Sequence, residues 1–186
     1  MTVQKWAQWH AEHERQLADP HGFLAITSLN FLTAEPRRFP DAPGEWSTGP
    51  AGVVVDLAEG ESLVVQGVAA VEGLEHVYES PGRVEFDVDG TPLALTVFNG
   101  RTPGSFFALF TDATSGVTTY PANRSLAIEA PGADGSVVVD FTRATNLVCA
   151  YTDFATCPLP PAENRLPVAI EAGEKIPYER LASAGR

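Results

Sequence analysis

Positive charge is what this chain has least of. Lys and Arg total 12 against 24 Asp and Glu, for a formal net charge of −12. A surface that negative repels phosphate backbones and anionic lipid headgroups, which argues against nucleic acid and membrane surfaces as partners. Lysine is almost missing: Lys5 and Lys175 stand alone, and the other cations are arginines. Arginine grips carboxylates with a fixed two-pronged geometry, so an internal anion-binding Arg stays open despite the net charge. Long apolar runs are missing as well; none approaches the roughly 20 residues that a membrane span needs. The N-terminal MTVQKWAQWHAEHERQL is polar and has no apolar signal-peptide core, so a cytosolic location is the default expectation. The cysteines, Cys149 and Cys157, are too few for a disulfide framework. No G-x-S-x-G elbow occurs, and neither does a G-x-G-x-x-G or G-x-x-x-x-G-K-S/T loop. Serine hydrolysis and dinucleotide or nucleoside triphosphate cradles by those routes are thereby excluded.

What remains is an ordinary globular composition, 44% hydrophobic and 19% charged over 186 residues. A chain of that size fits one domain and buries roughly two-thirds of its unfolded surface without disulfides or metal. Residues 3–17 predict a helix, because Val3, Trp6, His10, His13 and Leu17 recur at steps of three and four. Asp19-Pro20-His21-Gly22 stops it. Phe23–Leu32 suits a second short helix or a buried turn, and Glu35–Gly52, rich in Pro and Gly, reads as an extended connector.

The period then changes to two. Strands are expected at Val53–Leu57, Ser62–Val71, Arg83–Val88, Leu93–Phe98, Phe106–Phe110, Val117–Tyr120, Ser125–Glu129, Val137–Phe141 and Val168–Ile170. Asp89-Gly90, between two alternating runs, is the best hairpin signal. Short strands without intervening helices predict an all-β fold, an antiparallel barrel or closed β-sandwich with the N-terminal helix over one end. The single domain then divides into a helical cap (1–34), an antiparallel β core (53–141) and an ordered Pro-rich loop with a last strand (142–175).

Residues 140–175 break the pattern. Pro158, Pro160, Pro161 and Pro167 stiffen a long irregular run that interleaves aromatics with Arg143, Asn146, Glu163, Asn164 and Arg165. A long ordered loop inside a compact domain either lines a site or clamps the sheet shut, and both readings stay open here. Asp140-Phe141-x-Arg143-Ala144, Asn146, Cys149-Ala150, Ala155-Thr156-Cys157-Pro158-Leu159-Pro160-Pro161, Glu163-Asn164-Arg165-Leu166-Pro167 and Ala172-Gly173-Glu174-Lys175 form a block. With Phe110-Thr111-Asp112, Thr119-Tyr120 and Arg124 before it, this block resembles the bacterial family known as domain of unknown function 1684, in its compact form. Thr142 departs from that pattern, where the family often carries Asn. The resemblance implies an all-β fold and a shared site, and supplies no reaction.

His10 and His13 lie one helical turn apart, but no third ligand follows at a metal-binding spacing. They read as residues packed on the helix stripe, and no metal or cofactor is expected. Cys149 and Cys157 allow a disulfide, a redox pair or two buried small hydrophobes, of which buried thiols are preferred. Tyr120, Arg124, Arg143, Asn146, Glu163, Asn164 and Arg165 are the candidate ligand-binding residues, since their hydrogen-bonding groups suit a small polar or anionic ligand. The leading expectation is a small-molecule pocket near the 140–165 loop, in a binder or a cofactor-independent enzyme. A structural or interaction domain is the alternative, and thiol redox chemistry a third. An exposed sheet edge leaves room for a homodimer.

Overall fold

The computed structural model describes residues 2–63, 79–178 and 180–181. Helix α1 spans Val3–Leu17, as its spacing predicts, with the Thr2 hydroxyl accepting the Lys5 amide at its start. None of its residues is buried. The short helix or buried turn expected at Phe23–Leu32 is a 3-10 turn at Phe23–Ala25, and Leu24, Leu29 and Phe31 lie exposed.

Two antiparallel sheets follow. The first is β1 (Arg37–Phe39), β2 (Ala42–Gly49) and β3 (Gly52–Asp56), in that order. Most of it lies in the segment expected to be a connector. The extended backbone that Pro and Gly suggested there is in fact hydrogen-bonded, as in the pairing of Trp46 with Val55. The second sheet runs β4 (Gly82–Val88), β5 (Thr91–Asn99), β6 (Phe106–Phe110), β7 (Arg124–Ile128) and β8 (Thr145–Asn146). Asp89 and Gly90 both take positive φ, 51° and 81°, which is the turn a two-residue hairpin between β4 and β5 requires. Among the described residues β4 and β8 do not pair, so no barrel closes. The strand expected at Ser62–Val71 falls largely outside the described residues.

Three expected strands are corrected. Val117–Tyr120 is a tight turn, because the Thr114 carbonyl gathers the amides of Val117, Thr118 and Thr119. Among the described residues, Val137–Phe141 and Val168–Ile170 join no ladder. Their alternation has another cause. Leu95, Val97, Ala108, Phe110, Leu126 and Ile128 make the buried core on the sheet, and Val137, Val139, Phe141, Val168 and Ile170 pack onto it. Val138, between them, is 68% exposed. An extended segment laid across a sheet also alternates, even without a hydrogen-bonded neighbour.

Cys149 and Cys157 are joined in a disulfide, with Cα atoms 5.6 Å apart. This corrects the expectation of buried free thiols. The 3-10 turn at Val148–Ala150 and the Asn123 amide that grips the Pro158 carbonyl bring the two ends of the loop together. No helix among the described residues is long and apolar enough to cross a membrane.

Candidate ligand groove under the N-terminal helix

A buried polar hub anchors the C-terminal segment to the sheet. Arg124, on β7, and Asp112, just beyond β6, pair at 2.9 Å with side chains 1% and 0% exposed. Asp112 Oδ1 accepts from the Thr114 amide and hydroxyl and from the Ile170 amide. Burial, the largest single influence, would raise the Asp112 carboxyl, but these hydrogen bonds and the Arg124 guanidinium outweigh it. They hold the group below the usual carboxylate range. Arg124 lies over the Phe110 ring and donates to the carbonyls of Ile170 and Ala172. A buried Arg thus satisfies the backbone of an irregular segment that no ladder serves.

That segment carries Gly173 and Glu174. Gly173 has φ +84°, and an added Cβ would come within 2.7 Å of the Ala144 carbonyl oxygen and 2.8 Å of that of Phe141. Only glycine permits both the conformation and the approach. The turn places the Glu174 carboxylate where Asn146 N and Tyr151 OH donate to Oε2 and His13 Nε2 lies 2.8 Å from Oε1. A carboxylate oxygen accepts, so the contact is completed by the His13 tautomer that carries its proton on Nε2.

His13 belongs to α1, which meets the rest of the molecule along one stripe. Trp6 Nε1 donates to the Thr142 carbonyl at 3.3 Å. The Arg143 guanidinium lies 5.2 Å from the centre of the Trp9 ring. Within the helix, Trp6 stacks on His10 and Trp9 on His13, with centroids 4.7 and 5.3 Å apart. Between this stripe and residues 138–144 and 172–174 runs an open groove of about 740 Å³. Trp6, Trp9, His10 and His13 form its roof, with Phe141, Gly173 and Glu174 on its floor.

None of the seven residues singled out from the sequence lines this groove. Tyr120 donates its hydroxyl to the Cys149 carbonyl, tying down the disulfide loop. Asn164, wholly buried, accepts from the Thr96 amide and donates to the carbonyls of Thr96 and Leu109. Arg124 sits in the hub. Glu163 accepts from the Thr96 hydroxyl at the surface, and its own backbone amide together with that bond holds its carboxyl below the usual range. Exposed Arg165 borders a separate fissure with Pro121, Pro160 and Pro167. Arg143 and Asn146 approach the groove indirectly, one over Trp9 and the other through the Glu174 carboxylate. The residues that do line it left traces in the sequence. The Trp6–His10–His13 stripe marks the roof, and Ala172-Gly173-Glu174 belongs to the C-terminal block. Among the described residues no group of three His, Cys, Asp or Glu is arranged to hold a metal ion.

The molecule is therefore a mostly β protein of two antiparallel sheets, with one N-terminal helix roofing a groove. It belongs to the family described as protein of unknown function (DUF1684), whose family model matches residues 51–175. The matched span contains the groove floor and begins after α1. The solution NMR structure of an uncharacterized protein of Haloarcula marismortui is similar, with a TM-score of 0.47 and 19% identity over 94% of this chain and 97% of that one. No curated protein matches the chain.

Proposed function

We propose that the groove beneath α1 binds a small molecule, in a protein that acts as a binder or a cofactor-independent enzyme. One observation carries the reading: a helix with two tryptophans and two histidines on its inner stripe has no buried residue and leaves that stripe over an open space. A helix serving only to complete a core would bury its apolar stripe. Apolar and aromatic walls with a few fixed polar groups are the usual make-up of a ligand site. Here the fixed group is the His13–Glu174 pair, whose carboxylate is seated by two further donors. An imidazole held by a carboxylate is oriented to accept or donate one proton to whatever occupies the groove.

A fragment survey read by amide NMR and indole fluorescence tests this. Ligands should quench the tryptophan emission and shift Thr142, Gly173 and Glu174, and Trp6→Ala should weaken them about tenfold. Hits that move only residues outside the groove would sink the proposal. The structural alternative draws its support from Arg124 and Asn164, whose hydrogen bonds all serve the fold.

A further inference from the structure

We propose that the ligand of this groove is a small organic cation, an alkyl- or aryl-substituted ammonium; the proposal rests on the groove being a ligand site. Its lining includes the carboxylates of Asp140 and Glu174 and no Lys or Arg. Asp140 spends Oδ1 on the Thr142 amide and hydroxyl, and Oδ2 has no protein partner among the described residues. The Arg143 guanidinium is outside that lining; it pairs with Glu129 at 3.0 Å through Nη1 and lies 5.2 Å from the centre of the Trp9 ring. An anion would face two carboxylates with no cation committed to it. A cation meets the reverse situation, because the indoles present electron-rich faces and the acidic walls add to the field of a chain with net charge −12. Trp9 already shows that preference by holding a guanidinium 5.2 Å from its ring centre. Imidazole rings stacked on both indoles fix their orientation before a ligand arrives, which lowers the ordering cost of binding.

The test uses the full chain and three probes of similar size: phenyltrimethylammonium, benzyl alcohol and benzoate. Each is titrated while amide shifts and tryptophan fluorescence are followed. The cation should shift Thr142 and Gly173 and bind about tenfold more tightly than the alcohol, with benzoate weakest, and its affinity should fall with added salt. Asp140→Asn keeps the turn acceptor but removes the charge. It should weaken the cation several-fold and leave the alcohol unchanged. Groove binding by the alcohol or benzoate as tight as the cation's overturns the charge assignment while leaving the ligand site standing. If none of the three perturbs the groove, the cation proposal is lost, and the fragment survey then decides separately whether the groove is a site at all.

Discussion

Asp112 and Glu174 are both carboxylates held by several donors, and they belong to one frame, since Arg124 binds the carbonyls of the segment that ends at Glu174. Their surroundings differ. Asp112 is sealed, with every partner in the protein interior and a guanidinium opposite it. Glu174 keeps 23% of its side chain exposed and one of its partners is His13, on a helix with no buried residue. A sealed polar cluster stabilises the packing of irregular chain on a sheet. A half-open one leaves an imidazole and two indoles facing free space. The same bonding vocabulary therefore supports the fold in one place and, in the other, the groove proposed above as a ligand site.

The largest effect that would break this comparison belongs to the hub. Asp112→Asn leaves Arg124 buried without a counter-charge, and removing one partner of such a pair destabilises by about 3–5 kcal/mol. Urea unfolding measures it. The same variant has a pH signature. Because the folded Asp112 carboxyl lies below its unfolded value, its contribution is fully present above the ordinary aspartate pKa of about 3.9 and is lost as the pH falls through the folded value. Wild-type stability should therefore fall more steeply on the acid side than that of Asp112→Asn. Equal acid slopes would remove Asp112 from the hub's account.

The next effect is intermediate. Reducing the Cys149–Cys157 bond opens a loop of eight-residue separation, worth about 2–3 kcal/mol on chain entropy. That loop carries Tyr151, a donor to Glu174, so reduction should also disturb the groove, whereas the hub's amides should keep their shifts. A dithiol treatment followed by NMR and denaturant titration checks both parts. Unchanged stability would show that Tyr120, Asn123 and Arg180, which hold the neighbouring backbone, fix the loop without the bond. Such a bond persists in oxidising surroundings, and the sequence offered no sign of them beyond the cysteines themselves.

How much of this could be read beforehand follows from where the determinants lie. Helix α1 and the β4–β5 hairpin are local: a 3.6-residue stripe and an Asp-Gly turn encode them within a few residues. The period of two at Val137–Phe141 reported a real alternation of burial but not a ladder, because periodicity records which side faces the core and is silent about hydrogen-bond partners. Strand β2 was hidden by prolines and glycines that sit at its ends and bends. The polar residues of 143–165 are conspicuous in the sequence, and the structure gives Asn164 a packing role. Asn164 pins the irregular segment to the sheet by bonding three backbone atoms of β5 and β6, the amide and carbonyl of Thr96 and the carbonyl of Leu109. The groove was least legible, since its two walls are separated by 161 positions at the His13–Glu174 contact. Each half was visible, but nothing in the sequence joined them.

The smallest expected stability change is the most informative about the groove. Glu174→Gln keeps the shape of the side chain and an acceptor for at least one donor, while removing the charge that receives His13, Tyr151 and Asn146. A partly exposed ion pair of this kind contributes about 1 kcal/mol or less, so the unfolding midpoint should hardly move. The amide replaces one accepting oxygen by a donor, however; with its oxygen kept on the Asn146 amide and the Tyr151 hydroxyl, its NH2 group takes the place of the oxygen that faces His13 Nε2. The His13 ring must then shift or move its proton to the other nitrogen. Fluorescence of Trp9, stacked on that ring, and probe binding in the groove should therefore change strongly while stability does not. If Glu174→Gln instead destabilises the protein as much as Asp112→Asn, Glu174 is a second hub, α1 is only a clamp, and the structural reading prevails over the ligand site.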